Sequence, residues 1–274
     1  SNGCTAMAGL TALANTTPPL ASAASPQTLN CTLLQISLSG AGSSVGANFT
    51  YQWSGPGILS GGTTLSPLVN AAGTYGLTVT DQSNGCTAMA GLTAAANTTP
   101  PLASATSPQM LTCTLLQIAL SGAGSSTGAN FTYQWSGPGI VSGGTTLSPL
   151  VNAAGNYALT VTNQSNGCTA TATATAAANT TTPTAAAASP QALTCLLNQV
   201  SLSGMGSSPG ANFLYQWSGP GIVGGGTPLS PSVNATGTYT LTVTNQLNGC
   251  TATAQATVIQ SINAPNVNAG PVQS

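Results

Sequence analysis

The side chains with the most chemistry in them are seven cysteines, and their spacing is regular. Cys31, Cys113 and Cys195 recur at a step of 82 residues (113 − 31 and 195 − 113), and Cys4, Cys86, Cys168 and Cys250 keep the same step. Cysteines at strictly repeating positions read as disulfides, and disulfides imply an oxidising, extracytoplasmic setting. A metal reading finds no support, because no CxxC pair and no His accompany them. The chain has no Lys, Arg or His, and Asp81 is its one acid. A general base, a metal cluster or a Ser-His-Asp set needs ionisable groups, so neither an enzyme nor a cofactor is expected.

The same composition bounds the partners. Without Lys or Arg, nucleic-acid binding and attraction to anionic lipid lose their basis. No apolar run reaches the ~20 residues of a membrane span, so no membrane insertion is expected in this segment. An ordinary domain is about 25% charged. Two readings of the near-total lack of charge stand side by side. Either hydroxyl and amide groups hydrate a genuine Ser/Thr/Asn/Gly surface, or some Asn and Gln stand for Asp and Glu.

The elements that carry the cysteines repeat with them. Tyr51-Gln52-Trp53-Ser54-Gly55-Pro56-Gly57-Ile58 returns from Tyr133 and from Tyr215. Such a period marks a tandem array. The expected divisions are 1–15, the last strand of a preceding repeat; 16–97, 98–179 and 180–262, three repeats; and 263–274, the start of a following one. Asn15-Thr16-Thr17-Pro18-Pro19 and its later versions read as short, stiff junctions. Leu34, Ile36 and Leu38 alternate with polar residues, as do Phe49, Tyr51 and Trp53, and then Tyr75, Leu77 and Val79. Period-two alternation bounded by Gly, Pro and Asn-Gly turns predicts an all-β fold built of sandwiches.

These motifs resemble a known family. Trp-Ser-Gly-Pro-Gly, Gly-Gly-Thr-Thr, Val-Asn-Ala-Ala-Gly-Thr-Tyr, Leu-Thr-Val-Thr-Asp and Asn-Gly-Cys-Thr-Ala are similar to the immunoglobulin-like, PKD-like repeats of very large surface adhesins. The resemblance is most nearly to the SprB-type adhesins of gliding bacteria with type IX secretion. It covers all three repeats, and the tail Ala264-Pro265-Asn266-Val267-Asn268-Ala269-Gly270-Pro271 resembles the opening of another. It implies a tandem array of immunoglobulin-like β-sandwiches, secretion, bacterial cell-surface display, and adhesion or gliding. Two departures stand out. Leu77, Leu159 and Leu241 occupy the place where antibody-type domains put a cysteine, two residues after the corner tyrosine. The acidic loops of PKD-type domains are missing.

The simplest disulfides join Cys31–Cys86, Cys113–Cys168 and Cys195–Cys250 inside each repeat, leaving Cys4 to an upstream partner. This pairing is preferred because small sandwiches commonly need an internal staple. Immunoglobulin topology puts the first turn and the last hairpin at opposite ends, however. The alternative is therefore Cys31–Cys168 and Cys113–Cys250, each linking one repeat to the next.

The aromatics have a bland reading and a sharp one. Trp53, Trp135 and Trp217 could stack sugars, but their parity with Phe and Tyr assigns them to the core. Tyr75, Tyr157 and Tyr239 are assigned there too. Asp81 could suggest calcium, but Asn163 and Asn245 replace it in the other copies, so it reads as a turn residue. Sequons at Asn15, Asn48, Asn97, Asn130, Asn163 and Asn234 arise easily in so Thr/Asn-rich a chain.

The sequence thus points to a disulfide-stabilised structural rod of a secreted adhesin or extracellular filament. Its expected partners are copies of itself or neighbouring repeats, and surface polysaccharide or substratum. A passive spacer attached to a secreted enzyme, or a carbohydrate-binding module, is the alternative.

Overall fold

The computed structural model describes residues 2–11, 13–224, 226–261 and 270, and among these the chain forms strands, turns and loops without a helix. The first repeat shows how the alternating sequence becomes two sheets. Its strands are β1 (Leu29–Asn30), β2 (Ile36–Ser37), β3 (Phe49–Ser54), β4 (Ile58–Ser60), β5 (Leu68–Val69), β6 (Gly73–Asp81), β7 (Thr87–Ala94) and β8 (Ala96–Asn97). One sheet runs β3-β6-β7, antiparallel throughout, with Trp53 opposite Leu77 and Tyr75 opposite Leu92. The other runs β2-β5-β4, also antiparallel, and an antiparallel bridge from Ala24 to Ser39 extends it by one more segment. The short β1 pairs parallel to β8, with Leu29 opposite Ala96 and Asn30 opposite Asn97.

The core follows from strand parity, because successive side chains face opposite sides of a sheet. Ile36, Leu38, Trp53, Val69, Tyr75, Leu77 and Val79 are all buried in one cluster between the sheets. Along β6 the threonines stay partly exposed, and along β3 Thr50 and Gln52 face out. Val200, Leu202, Trp217, Val233, Tyr239, Leu241 and Val243 build the equivalent cluster of the third repeat.

The Trp-Ser-Gly-Pro-Gly motif exists to close a corner over this core. The Tyr75 hydroxyl donates to the carbonyl of Ala71, four residues upstream, at 2.6 Å, and it also reaches the carbonyl of Pro56. Tyr157 and Tyr239 do the same with Ala153 and Pro138, and with Ala235 and Pro220. Burial pushes all three phenols above their ordinary pKa. Gly55 has to be glycine here: its φ is +142°, and a Cβ would sit 2.4 Å from the Tyr75 ring.

The indole N–H groups show one local difference between repeats. Trp53 donates to the Thr64 carbonyl at 2.8 Å and Trp135 to that of Thr146 at 2.9 Å. The turns presenting those carbonyls are held by the N–H and hydroxyl of Thr64 and Thr146, which bond Gly61 and Gly143. The third repeat has Pro228 there, which carries neither group. Trp217 is left without a partner for its buried indole N–H among the described residues.

The long strands recur at Phe131–Ser136, Gly155–Asn163 and Thr169–Ala176, and again at Phe213–Ser218, Gly237–Asn245 and Thr251–Val258. The chain divides into two compact units. One holds the chain up to Ala103 with Gly124–Tyr133 and Thr160–Thr171; the other holds Ser104–Ala123, Gln134–Leu159 and the chain from Ala172 onward. Each compact unit thus contains one outer repeat and part of the middle one. Asn2–Thr11, the sequence counterpart of the β7 region, carries no strand, and its Met7 and Leu10 are fully exposed. The β7 region owes its strand to its hydrogen-bonded register with β6. The expected start of a following repeat, with the tail from Ala264 to Pro271, lies outside the described residues except for Gly270.

Candidate functional site

The most constructed surface of the molecule is a joint that occurs twice, once inside each compact unit. In the first, the corner after β1 receives the hairpin of the next repeat. In the second, the corner at Thr112-Cys113 receives the hairpin at Asn245–Cys250.

The corner is preshaped by its own side chains. The Asn30 N–H donates to the Leu33 carbonyl at 3.0 Å, and the Asn30 Oδ1 accepts from the N–H groups of Thr32 and Leu33. Thr112 plays both parts one repeat later, using its Oγ1. These local bonds turn the chain outward and leave the cysteine at the tip.

The hairpin is shaped by an Asx turn and a glycine. The Asn163 Oδ1 accepts from the Ser165 N–H at 3.0 Å, and the Gly167 N–H closes the turn onto the Asn163 carbonyl at 2.8 Å. Asp81 and Asn245 accept in the same way from Ser83 and Leu247. The role needs one side-chain oxygen, which explains why Asp and Asn exchange at this position. Among the described residues no group of three or more His, Cys, Asp or Glu could hold a metal ion.

Corner and hairpin then meet. Cys31 is bonded to Cys168, with a Cα–Cα distance of 5.0 Å, and Cys113 is bonded to Cys250 at the same distance. The Cys31 N–H donates to the Asn166 carbonyl at 3.1 Å, and the Cys113 N–H to that of Asn248 at 3.1 Å. The Asn166 side chain spans the joint: its amide donates to Asn97 Oδ1 and to the Thr99 carbonyl, each at 3.0 Å, while its Oδ1 accepts from the Cys168 N–H. Asn248 repeats this with Asn179 and Thr181. Asn166 is 2% exposed and Cys168 1% exposed. Gly167 packs so closely that a Cβ there would stand 2.4 Å from the Thr32 methyl, and Gly249 faces Thr114 at the same distance. On the hairpin side Asn166, Cys168, Asn248 and Cys250 are buried with their polar groups satisfied, as in a protein interior, while Cys31, Thr32 and Thr114 on the corner side stay exposed.

This overturns the preferred pairing within each repeat. The physical reason is the register of β1. Asn30 lies opposite Asn97, at the far end of the last strand, whereas Cys86 stands at that strand's beginning. About 11 residues of extended chain, or roughly 35 Å at ~3.3 Å per residue, separate the two ends. Disulfides need Cα atoms within about 7 Å. Cys4, Cys86 and Cys195 are unpaired, Cys4 and Cys195 being exposed and Cys86 half-buried.

The tryptophans offer no sugar platform. Trp53, Trp135 and Trp217 are at most 2% exposed, and the first two have their indole N–H groups turned inward to backbone carbonyls. The residues that sequence reasoning missed are Asn166 and Asn248, Gly167 and Gly249, and Thr32 and Thr114. Their signal was the unbroken recurrence of Asn-Gly-Cys, which a hairpin turn alone does not demand.

Two facing sheets, the order Ala24 segment-β2-β5-β4 against β3-β6-β7, a buried tryptophan on β3 and a tyrosine corner on β6 define an immunoglobulin-like β-sandwich. The chain is a tandem array of such sandwiches, and its disulfides belong to a secreted or extracellular protein. No protein-family model matches the chain, and no curated protein matches it. Solved structures similar in fold include the three N-terminal domains of the bacteriophage RB49 highly immunogenic outer capsid protein, at 15% identity and a TM-score of 0.33 over 89% of this chain and 99% of that one. Extracellular domains 3–5 of Drosophila OTK match at 12% identity and a TM-score of 0.29, over 84% and 92%. The N-terminal eight immunoglobulin domains of Down syndrome cell adhesion molecule match at 12% identity and 0.35, over 89% of this chain and 40% of that one.

Proposed function

We propose that this chain is the structural repeat region of a secreted bacterial surface adhesin or extracellular filament. It would act as a disulfide-stapled rod for adhesion, gliding or surface display, and not as an enzyme. One observation carries the reading: both disulfides run from one repeat to the next, with a sequence separation of 137 residues each. A bond inside a sandwich protects that sandwich, whereas a bond across a junction protects the junction. Junctions are where a tether under tension would otherwise hinge and fray.

The two staples also interleave. Cys113 and Cys168 both belong to the middle repeat, so the closed loops overlap across it. In the chain-entropy account, closing a single loop of this size stabilises by about 5 kcal/mol. A surface of hydroxyls and amides with almost no charge would meet polysaccharide, substratum or neighbouring copies without electrostatic repulsion.

Stretching single molecules from their ends, with and without reductant, tests the mechanical role. Between Cys31 and Cys250 the oxidised chain can be pulled straight only through the roughly 55 residues shared by both loops. Reduction should release about 160 residues more, or about 550 Å at 3.3–3.6 Å per residue. Equal contour lengths in both conditions would contradict the proposal.

A further inference from the structure

Two Asn-x-Thr sequences, Asn48-Phe49-Thr50 and Asn130-Phe131-Thr132, occupy the turn that opens a long strand. The Phe49 N–H closes that turn onto the Gly46 carbonyl at 3.2 Å, and the Phe131 N–H onto that of Gly128 at 3.1 Å. Asn48 and Asn130 thus stand at the tips of tight turns. Their backbone is pinned, because the Gln82 and Gln164 N–H groups each donate to the asparagine carbonyl at 2.7 Å. Their side chains are not pinned. Both asparagines are exposed, and among the described residues neither carboxamide makes a hydrogen bond. Thr50 and Thr132 are exposed as well, each Oγ1 accepting from the side-chain amide of Gln82 or Gln164.

The other asparagines in such sequences are committed elsewhere. Asn30 turns its Oδ1 onto the N–H groups of Thr32 and Leu33, and Asn15 and Asn163 each bond the N–H two residues on. Asn97 and Asn179 accept from Asn166 and Asn248 inside the joints. Asn234 lays its Oδ1 against Gly221, where a Cβ would stand 2.3 Å from it. An acceptor amide must be free to meet a transferase and must leave its sugar in water once the chain has folded. Asn48 and Asn130 have that freedom.

Room for a sugar lies beside the first of them. An open groove of about 440 Å³ is lined by Phe49, Thr50, Tyr51, Gln52, Thr63 and Thr80. Small-molecule sites span about 300–1,000 Å³ and combine apolar or aromatic walls with a few polar groups. Here two half-buried aromatic side chains stand among hydroxyl and amide groups, with no charge. That lining matches a neutral sugar ring, whose C–H faces pack on aromatics and whose hydroxyls take hydrogen bonds.

We propose that Asn48 and Asn130 are glycosylation sites, each carrying a neutral hexose or N-acetylhexosamine on its Nδ2. The donor is a sugar joined through its anomeric carbon to the phosphate of a nucleotide or lipid carrier. The asparagine Nδ2 attacks that carbon, and the N–C bond forms as the C–O bond to phosphate breaks. The phosphate leaves with the electron pair, and one amide proton passes to a base of the transferase. The carbohydrate hydrates a surface that has one acid and no base.

The third repeat is an internal control. Asn212 is exposed in the same turn, with the Phe213 N–H on the Gly210 carbonyl at 3.2 Å and the Gln246 N–H on its own carbonyl at 2.8 Å. Leu214 follows where Thr50 and Thr132 stand, so the hydroxyl is missing and Asn212 stays bare.

The test digests the protein isolated from its native cells with chymotrypsin and maps glycopeptides by mass spectrometry. Sugar is expected on Asn48 and Asn130 and not on Asn212. Among variants made in the same cells, Asn48→Gln and Thr50→Ala should each clear the first site and leave Asn130 occupied. Thr50→Ser should keep the first site occupied, and Leu214→Thr should add sugar at Asn212. A bare peptide at Asn48 or Asn130 in the natural chain would overturn the proposal. So would sugar carried only by serine and threonine, or a Leu214→Thr chain still bare at Asn212.

Discussion

The hairpin Asp81–Cys86 and the hairpin Asn163–Cys168 are near-copies in sequence and in turn geometry, yet Asn84 and Cys86 are half-buried in the one while Asn166 and Cys168 are fully buried in the other. Their difference is what sits on them. The second carries the corner Asn30-Cys31-Thr32, and with it a disulfide, a backbone hydrogen bond and a bridging asparagine. The first keeps only the bond from Asn84 to Thr17. The same turn is therefore a plain hairpin in one place and half of a joint in another. What the comparison teaches is that Asn-Gly-Cys is built for docking, since a hairpin turn by itself uses neither the thiol nor the second amide proton.

Equal substitutions in the two hairpins should break this symmetry. The largest difference is expected at the cysteines. Cys168→Ser should lower the unfolding free energy by about 3–5 kcal/mol, whereas Cys86→Ser should change it by less than about 0.5 kcal/mol, read by chemical denaturation without reductant. Glycine comes next. Gly85 and Gly167 both have positive φ, at +73° and +68°, so alanine is strained at either. Gly85→Ala should cost about 1–2 kcal/mol. Gly167→Ala should cost about 2–4 kcal/mol, because the clash with Thr32 adds overpacking. Thr32→Ala should recover part of the second loss and none of the first.

A smaller gap is expected at the asparagines. Asn166→Ala removes the donor to two acceptors in a buried setting and should cost about 2 kcal/mol; Asn84→Ala should cost about 1 kcal/mol. The smallest effect concerns the third repeat's loop. Pro228→Thr restores the groups that hold the equivalent turn beneath Trp53 and Trp135, and should raise thermal stability by about 1 kcal/mol.

Much of the fold was legible because strand parity is a local property. Phe49, Tyr51 and Trp53 had to share a face, and Tyr75, Leu77 and Val79 had to face them, wherever the sheet lay. The tyrosine corner was legible as well, through the glycines and proline that make room for the ring. Disulfide connectivity was not. It depends on which end of the sandwich Asn30 reaches, and the parallel pairing of β1 with β8 sets that. Two residues on each strand carry this pairing, too few for any periodicity to announce. Preference for an internal staple then favoured the wrong partner, although the topological objection to it was sound. Asn166 was obscured for another reason. Asn before Gly already has a sufficient explanation in turn geometry, so its reach to Asn97 and Thr99 left no separate mark.

The central claim is that covalent bonds run between successive repeats, and peptide mapping of the unreduced protein tests it most directly. With no Lys or Arg in the chain, trypsin has no sites, and cleavage must use a protease acting at aromatic or leucine residues. The account predicts peptides joining Cys31 to Cys168 and Cys113 to Cys250. Peptides joining Cys31 to Cys86 and Cys113 to Cys168 would contradict it, and would leave the repeats as separately stapled beads.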